Sequence, residues 1–278
     1  MDNNSELRHW NFEAFRNFIG FAPIQQACTS LLVHDGISLE NADIELRHLN
    51  HLLLARTGLE WTPDRNPGRN VTWETEGSLF RNKKRIFTGF YLIDAEKYET
   101  ESRLILTPFG RAIAEGLVSE VDFYKSMIQK FEFPHPAYED NWNWWRQEER
   151  ELRPLVFILS ILKHLCIMSN QIETVSTREI AHFGGPSPST HEAESVALRI
   201  KQSRDLGETF EHKFLDSHDR KINDMIAFLA MSPWAANKVK GLTLNPIRRN
   251  QENSTFSWLS LAALTKEIDE LTGEKNGK

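Results

Sequence analysis

Only two cysteines, Cys28 and Cys166, occur in 278 residues. Both stand in apolar helical contexts, which predicts buried thiols in a reducing compartment rather than a disulfide, and no metal site can be assembled from cysteines. There is no Gly-rich phosphate loop, no His-Glu-x-x-His and no Gly-x-Ser-x-Gly, so nucleotide binding, zinc proteolysis and nucleophile-elbow hydrolysis have no carrier. No apolar run reaches the ~20 residues that span a bilayer. The most apolar one, "PLVFILSILKHLCIM" from Pro154 to Met168, carries Lys163 and His164 and reads as a buried core helix. The start, "MDNNSELRHW", has no cationic stretch leading into an apolar one, so no secretory signal is expected, and the expected location is cytoplasmic with no membrane partner.

What is present is the balance of a soluble globular protein, 40% hydrophobic and 26% charged, with room for one large or two ordinary domains. The formal net charge of −6 weighs against a nucleic-acid binder, but the charge is segregated along the chain. From Arg65 to Arg85 stand Arg65, Arg69, Arg81, Lys83, Lys84 and Arg85 against Glu74 and Glu76. From Asn237 to Arg249 stand Lys238, Lys240, Arg248 and Arg249 with no acid. Between them, "YEDNWNWWRQEERE" (Tyr138 to Glu151) holds five acids and two arginines. Such segregation suits a protein with dedicated anion-facing surfaces, although a basic run also serves as a solvated helix face.

Helical spacing is expected in "FAPIQQACTSLLVHDG", with Pro23 in the first turn and Gly36 beyond the end, and in "SLENADIELRHLNHLLLARTG" between Ser38 and Gly58. After the Pro- and Gly-rich loop "EWTPDRNPGRNVTW" a third helix is expected from about Glu74 to Thr88. "FYLID" and "SRLILT", joined by "AEKYETE", then read as a β-hairpin with a polar, mobile tip. Thr107 is placed to cap a helix that has Pro108 first and Gly116 at its end. Three helices followed by a hairpin is the order of a winged helix-turn-helix. Its last helix, the one laid in the major groove, would carry Arg81, Asn82, Lys83, Lys84 and Arg85. Arginine forks onto guanine, asparagine pairs with adenine and lysine supplies a point charge for phosphate.

The second half repeats the scheme. "LILTP" at Leu104 to Pro108 is echoed by "LTLNP" at Leu242 to Pro246, and the preceding elements correspond. They are the apolar helix from Pro154, a short helix in "STREIAHFGG" capped by Ser176, and a helix in "SHDRKINDMIAFLAMS" with Arg220, Lys221 and Asn223 near its start. "WAANKVKGLTLNP" makes a second wing with a tight turn at Gly241, and a polar helix is inserted from about Glu192 to Phe214. The expected fold is therefore mainly α with small β-hairpin wings. A first winged-helix subdomain spans residues 1–117, a helical connector containing Trp142, Trp144 and Trp145 spans 118–153, and a second winged helix with a C-terminal helix spans 154–278. The connector tryptophans are expected to pack between subdomains rather than stack on bases.

The series "LILTPFGRAIAEG", "DFYKSMIQKFEFPHP" and "RPLVFILSILKHL" resembles the DNA-recognition half of type IIS restriction endonucleases and related nicking endonucleases, the AlwI-like group. The matching positions are Leu106, Thr107 and Gly110, then Lys130, Phe131, Phe133 and Pro134, then Pro154 and Leu155, and the "LTLNP" wing end agrees as well. The resemblance implies two winged helices that bind double-stranded DNA, with catalysis in a further nuclease domain or subunit.

No catalytic site is expected in these 278 residues. A metal-dependent nuclease needs carboxylates and a lysine converging from adjacent strands. "DSHDRK" offers Asp216, Asp219 and Lys221 without flanking apolar strands, and His182 and His191 in "HFGGPSPSTH" read as a surface turn rather than metal ligands. No cofactor is expected. The DNA-contacting candidates are Arg65, Arg69, Arg81, Asn82, Lys83, Lys84, Arg85, Arg220, Lys221, Asn223, Lys238, Lys240, Arg248 and Arg249. Arg65, Arg69, Arg248 and Arg249 would act as phosphate clamps or groove arms. The competing expectation is a protein-interaction subunit of an antiviral defence complex, in which winged helices dock proteins and the acidic balance is unremarked.

Overall fold

A computed structural model describes residues 20–38, 87–101, 103–133, 135, 151–208, 216–249 and 255–273. The basic cluster Arg81 to Arg85, Arg65, Arg69, the helix expected after Ser38 and the connector tryptophans lie outside them. The protein is mostly helical with small antiparallel sheets, as expected. It divides into two compact units, an N-terminal one of residues 14–123 and 135–139 and a C-terminal one of 1–13, 124–134 and 140–278.

In the N-terminal unit, α1 (Phe21–Leu32) turns its Ile24, Ala27, Cys28 and Leu31 inward, and Gly36 beyond it takes φ +82°. Strand β1 (Ile37–Ser38) pairs antiparallel with β2 (Arg103–Leu104), and one further bridge joins Ile93 to Leu106. The segment "AEKYETE" is not a mobile tip but a helix, α2 (Ala95–Glu101). The cause is local: Asp94 Oδ1 accepts from the Lys97 backbone N–H at 3.0 Å, and Glu96 faces the positive end of the helix. Helix α3 (Pro108–Ala114) starts as expected, with Thr107 Oγ1 accepting from the Gly110 N–H and Pro108 in the first turn. It packs on α1, where Thr29 Oγ1 donates to the Ala114 carbonyl at 3.0 Å. Gly110 is obligatory there, because a Cβ would collide with the Leu92 carbonyl. Helix α4 (Glu120–Lys130), whose residues from Tyr124 on are counted with the C-terminal unit, contributes Phe123 to the N-terminal one, against the rings of Phe21 and Phe90 with centroids 5.3 and 5.9 Å away.

The C-terminal unit is organised around α5 (Pro154–Ser169), the apolar helix of the sequence, buried over nearly its whole length. Its cationic residue Lys163 is buried too, and its Nζ donates to Asp269 Oδ1 at 2.7 Å. Strand β3 (Thr174–Val175) leads into α6 (Thr177–Glu179), which continues as a π-helical turn over Ile180–Gly184. Ser176 caps it as expected, in a full capping box with Glu179. The inserted helix α7 (Ala193–Leu206) sets Val196, Ala197 and Ile200 inward, where it packs on α5, and leaves its charged residues outside together with Leu198 and Leu206. Next come α8 (Asp216–Met231), β4 (Ala235–Lys238) and β5 (Gly241–Leu244), giving a three-stranded antiparallel sheet in the order β3-β5-β4. A second two-stranded sheet, β6 (Ile247–Arg249) with β7 (Phe256–Trp258), precedes α9 (Leu261–Thr272), which is capped by Ser260 and packs on α5. Both cysteines are buried free thiols, and burial pushes Cys28 up to about 12.

The "LILTP" and "LTLNP" echo is a structural equivalence. Leu104 pairs with Ile37 as Leu242 pairs with Val175, and Leu106 pairs with Ile93 as Leu244 pairs with Ala235. The next backbone N–H also repeats: Thr107 donates to the Leu92 carbonyl at 3.0 Å and Asn245 to that of Trp234 at 2.9 Å. All four leucines are buried.

Candidate nucleic-acid interface

Strand β5 has two distinct ends, and the exposed polar groups gather at the one where Gly241 stands. Gly241 has φ +136°, and a Cβ on it would strike the Val175 carbonyl, so β5 begins in close contact with the β3 to α6 junction. That contact sets the first turn of α6 beside the base of the β4–β5 turn. Thr177 Oγ1 donates to Asn223 Oδ1 of α8 at 2.8 Å, fixing the Asn223 amide against the start of α6. At the turn, Lys238 pairs with Gly241, and Val239 and Lys240 form the tip. Lys238 and Lys240 are exposed, and no ion pair among the described residues engages either of them.

Arg178, which the sequence reading passed over, is exposed in the first turn of α6, next to Thr177. The signal that would have found it is the capping box, since a Ser176–Glu179 pair fixes which residues open the helix. Its neighbour Glu179 is spoken for. Burial would raise the Glu179 carboxyl, but the Arg204 guanidinium and the Ser176 backbone N–H outweigh it and hold the carboxyl below its ordinary value. Arg204 donates to Glu179 at 2.6 and 2.9 Å and to the Thr174 carbonyl at 2.6 Å, clamping α7 across β3 and α6. The one acid in the short helix is thereby neutralised, which leaves Arg178 as its net charge.

The structure distributes the sequence candidates unevenly. Asn223, Lys238 and Lys240 are brought to the Gly241 end, and Arg220 and Lys221 lie in the first turns of the same helix as Asn223. Arg248 is placed elsewhere, beyond the other end of β5. Its guanidinium holds Glu267 of α9 at 2.5 to 3.1 Å and donates to the carbonyls of Pro233 and Asn245, so it is engaged within the chain. Arg249 is in β6, opposite Phe256. The segment "DSHDRK" is the start of α8 rather than part of paired strands. Among the described residues, no group of three or more His, Cys, Asp or Glu is placed to hold a metal ion, and no helix is long and apolar enough to cross a membrane.

The fold is similar to that of the BpuJ1 endonuclease binding domain. That domain was crystallised in complex with pyrene- and phenanthrene-modified DNA, and the two superpose with a TM-score of 0.64 at 13% identity, over 99% of this chain and 91% of that one. No protein-family model matches the chain, and no curated protein matches it. At this identity the likeness is one of fold, and it extends over both units.

Proposed function

We propose that this protein is a sequence-specific double-stranded DNA-binding module of a restriction-modification or phage-defence system, built as two winged helices of the AlwI-like type and directing a nuclease carried by a separate domain or subunit. The observation that carries this reading is the convergence of Arg178, Asn223, Lys238 and Lys240 at one end of the β3-β5-β4 sheet. The counterpart domain bound to DNA supports it. In this reading α8 lies in the major groove with Asn223, Arg220 and Lys221 towards it, and the start of α6 meets the phosphate backbone through Arg178. The β4–β5 turn follows the strand alongside through Lys238 and Lys240. In the N-terminal unit the same role falls to Arg81, Asn82, Lys83, Lys84 and Arg85, with Arg65 and Arg69 as phosphate contacts. Arg248, held by Glu267 and the Pro233 and Asn245 carbonyls at the opposite end of β5, is left out of the DNA surface, and Arg249 is kept as a phosphate contact.

Binding to random and selected duplexes across a salt series tests the reading. Each lost phosphate contact lowers the log-log salt slope by roughly one. The Lys238→Glu, Lys240→Glu double variant should therefore flatten the slope by about two and weaken every duplex alike, whereas Asn223→Ala should change which sequence is preferred, at about 1–3 kcal/mol. Absence of duplex binding by the wild-type chain at low salt would refute the reading and favour an interaction scaffold.

A further inference from the structure

A free asparagine amide suits adenine, because its oxygen accepts from the N6 amino group while its own amino group donates to N7. Asn223 does not have that freedom. Its Oδ1 accepts from Thr177 Oγ1 at 2.8 Å, so the oxygen is turned towards the start of α6. The amide is planar and its oxygen and nitrogen point apart. The end of this exposed side chain that faces away from α6 is therefore Nδ2, which carries two donors and no acceptor.

The hydroxyl that sets this orientation is itself fixed. Ser176 Oγ accepts from the Glu179 N–H at 3.2 Å, and Glu179 Oε2 accepts in return from the Ser176 N–H at 2.8 Å, on either side of Thr177. Arg204 ties the same carboxylate and the Thr174 carbonyl to α7. Across the bond, the buried Ile222, Met225 and Ile226 anchor α8 beside Asn223. The amide is thus oriented by two anchored elements before any ligand arrives. Ala227 and Ala230, four and seven residues on, share the face of Asn223 and add only methyl groups to it, so the helix can come close enough for a short side chain to reach a base edge.

We infer that Asn223 reads guanine rather than adenine, and that Thr177 decides it. The inference rests on the proposed DNA reading, which lays α8 in the major groove. There guanine offers N7 and O6, two acceptors side by side for the Nδ2 amino group, whereas adenine sets its own N6 amino group against it. Cytosine also presents a donor, and thymine presents one acceptor next to a methyl group. Thr177 is a positioning residue: it touches Asn223 and acts on the base through it.

Selection from a randomised duplex pool by the full chain, run in parallel on wild type, Asn223→Ala, Thr177→Val, Thr177→Ala and Thr177→Ser, tests this. The position at which Asn223→Ala loses its preference is the one Asn223 reads, and wild type should hold a G·C pair there. The two variants without the hydroxyl should admit A·T at that position alone, with the preference for G·C reduced roughly two- to tenfold, the worth of one neutral hydrogen bond. Thr177→Ser keeps the donor and should select as wild type does. A merely structural role would weaken every duplex and leave the chosen base unchanged. A second measurement needs no Thr177 variant: 7-deazaguanine at that position, which lacks the N7 acceptor, should weaken wild type by a similar factor and leave Asn223→Ala unaffected. An A·T pair at that position in wild type would overturn the inference, as would indifference to 7-deazaguanine or a G·C preference that survives in both Thr177→Val and Thr177→Ala. If a sequence is selected and Asn223→Ala changes none of its positions, the inference falls and the DNA reading stands through other residues. If wild type enriches no duplex, the DNA reading fails and takes the inference with it.

Discussion

In the N-terminal unit the chain leaves Ile93 and returns to Leu106 through a seven-residue helix with three glutamates and one lysine, net −2. In the C-terminal unit β4 turns straight back into β5 across Val239 and Lys240, with Lys238 just before them, net +2. The pairings beneath the two connections are equivalent, so the framework does not decide what the tip presents. The tip's length and charge do. An acidic helix repels phosphate, and a short basic turn attracts it, so the same local pairing carries connections of opposite charge in the two units. The return helices differ as well: α9 is tied to α5 by a buried ion pair, whereas α3 is tied to α1 by neutral hydrogen bonds and, just beyond the end of α1, by the half-exposed pair of Arg111 with Asp35.

The largest effect should come from breaking that ion pair. Asp269→Ala takes the carboxylate away from the buried Lys163 ammonium and should cost about 3–5 kcal/mol, confined to the C-terminal unit, whereas a Lys163→Met, Asp269→Leu double variant should be close to neutral. Chemical denaturation with hydrogen exchange resolved by residue measures both.

Acid should act first on the other unit. His135 is buried with its ring 5.1 Å from that of Tyr91, and burial pushes it down to about 4 from an ordinary 6.5. Between these values the unfolded chain holds more protons than the folded one, so stability falls as pH drops through the window and levels off below it. The loss should reach roughly 3 kcal/mol by pH 4. His135→Phe should remove this pH dependence in a denaturation series, and an unchanged profile would place the acid sensitivity elsewhere.

Next come the glycines under the two hairpins. Gly241→Ala should cost about 2–3 kcal/mol by forcing β5 off the Val175 carbonyl, and should weaken duplex binding with it. Gly110→Ala, which meets the Leu92 carbonyl, should destabilise the N-terminal unit comparably. The smallest effect is expected for Thr29→Val, which removes the neutral α1–α3 hydrogen bond and should cost about 1 kcal/mol in thermal denaturation. A cost equal to that of Asp269→Ala would erase the contrast between the two return helices.

Much of this framework was legible from capping and period. Thr107 with Pro108, Ser176 with Glu179, and the unbroken apolar run from Pro154 each carry their own local cause, and the "LILTP" echo marked two segments that pair in the same register. The helix at Ala95–Glu101 was not legible, because seven residues are too few for a 3.6-residue period to stand out between apolar runs, and Asp94 was counted with the strand before it. Arg248 was legible only as a cation, since Glu267, which holds it, is nineteen residues further on. Strands β6 and β7 escaped because three-residue segments show no measurable alternation, and their two arginines drew attention away from Phe256 and Trp258.

The β6–β7 hairpin also bears on how such a chain can be rebuilt. In the N-terminal unit Thr107 closes the sheet and opens the next helix at once, while in the C-terminal unit Asn245 closes the sheet and Ser260 opens the helix after a detour. The detour begins and ends at neighbouring points, for the Leu259 N–H donates to the Pro246 carbonyl at 2.9 Å. If Arg248 were removed with the hairpin, the Pro233 carbonyl would keep the Asn245 side-chain amide as donor. The excursion is therefore an insertion between neighbouring points, and a chain joined directly from Pro246 to Leu259 should keep the sheet that carries the basic turn.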